Sequence, residues 1–248
     1  MRFSSEICIA VPTLMLQRSP RLSPHRSALL ALLLIVPAQM IGTLMSLVIA
    51  PGTIGQTVLF LTKGWMLLLP IAWFLWVDRQ PVSVPKPGQR ELIAGTILGL
   101  AMATIILAAY WLIGRHWINS AEVRREAQRV GVLMPVLYLA GASFWIFINS
   151  LLEEYVWRWF VYRKCEVLVP GMAAVFLSAL LFTLHHIIDL SVYFTDWRVI
   201  GLGSLAVFAA GATWSGCYLV YRSIWASYVS HLLADGAIAL VGWHLLFV

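Results

Sequence analysis

Residues 132–164 read VLMPVLYLAGASFWIFINSLLEEYVWRWFVYRK. No charge interrupts the run before Glu153. About 20 mostly apolar residues cross the hydrocarbon of a bilayer as one helix, so residues 132–152 alone suffice. The apolar character then resumes beyond Glu153 and Glu154, through Arg158, to Arg163 and Lys164. At 1.5 Å per residue the whole stretch is about 50 Å long. That exceeds a straight crossing, so its end must tilt or protrude.

The rest of the chain repeats this pattern. Of its 248 residues, 61% are hydrophobic and 11% charged, with a mean hydropathy of +0.86. Soluble domains carry roughly 25% charged residues, so this chain cannot cover a folded surface with polar groups and is solvated by lipid. Apolar runs at 27–50, 57–77, 92–114, 132–164, 171–188, 199–220 and 224–247 predict about seven spans. The fold class is an all-α polytopic transmembrane bundle. The chain divides into a basic cytosolic tail, 1–26, N-terminal transmembrane helices with an interfacial segment, 27–131, and a transmembrane core, 132–248.

Between the spans, the linker 78–91 carries Pro81, Pro85 and Pro87 and reads as an extended loop. The segment AEVRREAQRV, 121–130, alternates acid and base at helical spacing and reads as a short interfacial helix. Gly95 and Gly99 have the spacing of a close helix contact. The three cysteines, Cys8, Cys165 and Cys217, have no metal or redox spacing. The net charge of +6 gathers at span ends, as membrane topology requires, and carries no nucleic-acid signal. Basic residues at 79, 86, 90, 158, 163, 164 and 222 favour an N-terminus inside, although the arginines of 115–131 count against it.

Ionisable groups inside a span cost roughly 2.5–3.5 kcal/mol each on insertion scales. Glu153, Glu154, Asp235, His185, His186 and His231 all sit in apolar runs, on three different helices. Glu154 and Arg158 are four apart and can pair on one helix face. Glu153 lies about 100° around the helix and must find other partners. Phe182 and His186 share a face, as do His231 and Asp235, whose carboxylate can fix the histidine tautomer. A buried polar constellation of this kind marks a site by default. The bland alternatives are a packing histidine and an intrahelical polar pair.

In this order the clusters resemble the CPBP intramembrane protease family, which includes the CAAX prenyl endopeptidases of Rce1 type. The family pattern EExxxR, FxxxH and HxxxN or HxxxD is matched by Glu153-Glu154 with Arg158, by Phe182 with His186, and by His231 with Asp235. Asp235 takes the less common variant of the last position. The lead-in from Tyr221 to Ser227 is also similar to the family's. The resemblance spans about 132–248 and places an active site among the fourth, fifth and seventh spans.

The resemblance implies peptide-bond hydrolysis inside the membrane. Glu153 would be the general base, His186 and His231 would position water or stabilise the oxyanion, and Asp235 would orient His231 or help to polarise the scissile carbonyl. Glu154, Arg158 and Phe182 would hold the site or orient substrate, with Arg158 attracting a substrate carboxylate, and His185 would be a packing residue. No cofactor is required; zinc on Glu153, His186 and His231 is the alternative. Expected partners are the bilayer and a membrane-tethered peptide or protein, whether a sorting tail, a prenylated peptide or a leader. The expected location is the cell (inner) membrane. A non-catalytic immunity or scaffold protein and a proton-coupled transporter remain as other readings; the absence of an internal repeat weighs against the transporter.

Overall fold

The computed structural model describes residues 7–9, 22–79 and 82–248. Most of the expected basic tail lies outside the described residues. Among the described residues, seven helices are long and apolar enough to cross a membrane. They are α1 (Pro24–Ile49), α2 (Thr53–Val77), α3 (Gln89–Trp117), α5 (Pro135–Leu168), α6 (Met172–Tyr193), α7 (Trp197–Tyr221) and α8 (Trp225–Phe247). The amphipathic α4 (Ser120–Arg129) joins α3 to α5. The structure is thus an all-α polytopic bundle. One small addition was not expected: β1 (Ile7–Ile9) pairs antiparallel with β2 (Val82–Val84) inside the linker read as an extended loop.

Sequence chemistry sets the boundaries. Ser23 caps α1 through its hydroxyl, with Pro24 at the first helical position. Asn119 caps α4 through its amide oxygen and Asp196 caps α7 through its carboxylate. Gly171, with φ of +56°, reverses the chain between α5 and α6, a backbone conformation that glycine reaches without a Cβ penalty. The outward faces are apolar: Phe60 is 72% exposed and Leu112 75%. Such exposure is untenable in water and ordinary against lipid.

The paired glycines of α3 meet α8. A Cβ on Gly95 would fall 2.5 Å from the Ala226 carbonyl oxygen, and one on Gly99 would fall 2.9 Å from Leu233 Cβ. Only the missing side chains let these two helices approach so closely.

Helix α5 holds the centre of the molecule. Val156, Trp157, Phe160 and Tyr162 are buried against Ile35 of α1, Phe74 of α2, Val175 of α6 and Tyr218 of α7. Its course is not regular. π-helical turns at Trp145–Asn149 and Tyr155–Tyr162 flank a single α-helical turn, Ser150–Glu154. Such wide turns are frequent at functional sites because they re-aim side chains out of α register.

Candidate active site

The α-helical turn of α5 carries Glu153 and Glu154, 4% and 0% exposed. They were expected to face different directions. Instead both reach the same imidazole of α8. Glu154 Oε1 lies 2.8 Å from His231 Nδ1, while Glu153 Oε2 lies 3.8 Å from His231 Nε2. A carboxylate accepts and does not donate, so His231 carries its proton on Nδ1 toward Glu154. Nε2 therefore faces Glu153 and, at 3.6 Å, Asp235 Oδ2. The ring is clamped from the side by Trp214 of α7, stacked at 4.0 Å and 20°. Trp214 is in turn held by its own hydrogen bond to Ser230 Oγ, at 3.1 Å.

This changes the expected division of labour. Glu154, not Asp235, sets the tautomer of His231. Asp235 instead accepts from Ser150 Oγ at 2.7 Å, tying α8 to α5. The expected Glu154–Arg158 pair is present at 3.2 Å with both side chains fully buried. Arg158 lays its guanidinium over Phe182 at 4.5 Å and Trp214 at 5.0 Å. Arginine stacks on aromatic faces when desolvated, which gives Phe182 its place: it is the floor under Arg158. Arg158 is thus enclosed and fully buried.

His186 of α6 is half-buried, and its Nδ1 donates to the Phe182 carbonyl at 3.1 Å. That bond leaves Nε2 as the free nitrogen. His185, expected to be a packing residue only, is more deeply buried than His186, with its ring stacked on Trp157 at 5.4 Å and 10°. Among the described residues, its Nδ1 has no hydrogen-bond partner.

Donor atoms of Glu153, His185 and His186 all lie within 4.8 Å of one another, the one such three-residue group among the described residues. The expected metal set therefore changes, with His185 in place of His231. One carboxylate and two imidazoles, one of them with an orphaned buried Nδ1, fit a zinc ion that keeps an open position.

Two residues of the cluster were missed from the sequence. Asn149, 2% exposed, donates from Nδ2 to Glu153 Oε1 at 2.9 Å. Lys63 of α2 donates from Nζ to Asn149 Oδ1, also at 2.9 Å. Both had signals. Asn149 stands one helical turn before Glu153, and Lys63 is the one charged residue of its span. Through Lys63 the N-terminal helices take part in a site that the sequence assigned wholly to 132–248.

No curated protein and no solved structure matches the chain. The family model described as type II CAAX prenyl endopeptidase Rce1-like matches residues 132–237, a little under half the chain. That range holds both glutamates, Arg158, Phe182, both neighbouring histidines, His231 and Asp235. A protease is what that family implies, acting at the membrane. Residues 132–237 are thus similar to the Rce1-like CAAX protease family, within a multi-pass helical membrane protein.

Proposed function

We propose that this protein is an intramembrane endopeptidase that hydrolyses a peptide bond of a membrane-tethered substrate, with Glu153 as the base. The observation that carries the proposal is the meeting of Glu153, His186 and His231, from three spans, in one buried polar cluster. Each such group raises the cost of membrane insertion, and a shared site accounts for all of them at once.

In this reading Asn149 occupies Glu153 Oε1 and leaves Oε2 for chemistry. Glu153 takes a proton from a water that His186 Nε2 helps to orient, and the water oxygen attacks the scissile carbonyl carbon. The carbonyl oxygen becomes an oxyanion and accepts a hydrogen bond from Nε2–H of His231 in its imidazolium form, whose Nδ1–H stays on Glu154 and whose ring Trp214 stacks. The C–N bond then breaks. Glu153 returns its proton to the leaving amine, and the products are a carboxylic acid and an amine. Arg158 balances the charge of Glu154 and touches no substrate.

The residues Glu153, His185 and His186 supply the alternative with a metal. A zinc ion held there would act as a Lewis acid toward water and carbonyl. The free Nδ1 of His185 favours this second reading; the absence of the HExxH helix motif of soluble zinc proteases favours the first.

Purified protein in proteoliposomes would be offered three tethered peptides: prenylated, leader-type, and ending in an apolar helix with basic residues. Cleavage of at least one, analysed in ¹⁸O-water, is expected to place one heavy oxygen in the new C-terminus. Failure to cut any of them contradicts the proposal. Activity that survives a strong chelator supports the metal-free route; activity lost to it and restored by zinc supports the metal.

A further inference from the structure

Lys63 stands alone as the charged residue of α2, outside the segment that matches the family model. Its ammonium is an expensive group to place among lipid-facing residues. It is half-buried, lies 5.8 Å from the centre of the Trp145 ring, and donates to Asn149 Oδ1 at 2.9 Å. Glu153 and Asp189 are within its electrostatic reach.

The chemistry of an amide makes this contact decisive. A primary amide has one end that accepts and one that donates, and the two are nearly equal in shape. An ammonium can only donate. Lys63 therefore selects Oδ1 toward α2, and Nδ2 must then point along α5 toward Glu153 Oε1. Without the ammonium, Oδ1 loses its charged anchor and the amide is held by Glu153 alone, so Asn149 can leave this rotamer and Nδ2 can swing away from the carboxylate.

We infer that Lys63 is a positioning residue for Glu153, acting through the Asn149 amide. The chain of contacts Lys63–Asn149–Glu153 fixes which carboxylate oxygen is engaged and which faces His231. It also makes the second span part of the catalytic apparatus, although that span carries none of the three motifs. The inference deepens the endopeptidase reading and rests on it.

The test is a double-mutant cycle in proteoliposomes, on whichever tethered peptide the wild type cleaves. Lys63→Met keeps the length of the side chain and suits an apolar span, so thermal stability is expected to hold or rise. The expected kinetic result is a fall in kcat of about 10–100-fold, the usual effect of removing a group that orients a reacting one, with KM within about twofold. Lys63→Arg, which still only donates, is expected to recover most of the rate. Asn149→Leu is expected to match Lys63→Met, and the double variant to be no slower than the slower single, because both act on one interaction.

Wild-type kcat in Lys63→Met overturns the inference. So does a loss confined to KM, which would make Lys63 a substrate contact, and so do losses that multiply in the double variant. Should Lys63→Met melt early, Lys63→Leu, which also lacks any donor, carries the same comparison. A wild type that cuts nothing removes the endopeptidase reading itself. A wild type that cuts, beside an inert Glu153→Gln and an unimpaired Lys63→Met, removes only the role of Lys63.

Discussion

Two adjacent glutamates have different neighbours. Glu154 is enclosed with Arg158 and His231, and Arg158 rests on Phe182 and Trp214. Removing one partner of a buried ion pair leaves the other charge uncompensated, at a cost of about 3–5 kcal/mol. Glu154→Ala is therefore expected to lose folded protein, seen as a large drop in melting temperature and in yield. Glu153→Gln keeps the shape and a hydrogen-bonding end beside Asn149, so it is expected to melt like the wild type. Equal melting of all three proteins would contradict this division. The motif residues themselves were legible in the sequence because ionisable groups stand out in apolar runs. Their partners were less so. Which carboxylate turns toward His231 Nδ1 depends on the π-helical turns on either side of Ser150–Glu154, and helical-wheel geometry at 100° per residue does not contain them.

At the scale of elements, α3 and α8 depend on each other. α8 carries His231 and Asp235, and its position is set by the glycines of α3. Gly99→Leu would wedge the two helices apart close to Ser230, one residue before His231. Overpacking of this kind costs about 1–3 kcal/mol. The variant is expected to melt lower and to lose activity although residue 99 touches no reacting group; unchanged cleavage would show that α8 is held by other contacts. The spacing of Gly95 and Gly99 announced this contact, but not its partner, since a pairing motif does not name the opposing helix. The ends of the spans were likewise legible to within a few residues. The exception is α6, which continues past the expected limit of 188 to Tyr193 and so takes Asp189 into the span near Lys63.

For the whole molecule, orientation turns on how the arginines are used. Those of α4 appeared to weigh against an N-terminus inside. In the structure Arg124 donates to the Leu245 carbonyl at 3.0 Å and Arg129 to the Leu47 carbonyl at 2.9 Å. Both carbonyls belong to the last turns of spans, where a cation satisfies unpaired acceptors and the helix dipole. These arginines are helix caps as much as topology signals. On the opposite face, the buried Lys164–Asp78 pair and the Arg222–Glu166 pair at 2.6 Å join α5 to the α2–α3 linker and to the α7–α8 turn. We propose that this face, with the N-terminus, is cytosolic in the cell membrane. Single cysteines introduced at Lys86 and at Gly131, in a background with the native cysteines replaced, are expected to react with an impermeant maleimide from opposite sides of intact cells. Labelling of Gly131→Cys from the cytosol alone would invert the topology. Such pairings between distant loops are invisible to a reading of local periodicity.

The account stands on Glu153 as the group that activates water. Its most direct measurement is the single-turnover cleavage rate of a membrane-tethered peptide by wild type and by Glu153→Gln, in the same proteoliposomes and with matched melting curves. A positioned general base contributes about 10²–10⁴-fold, and a loss of that size with unchanged melting is the predicted result. Equal rates in the two folded proteins would contradict the account.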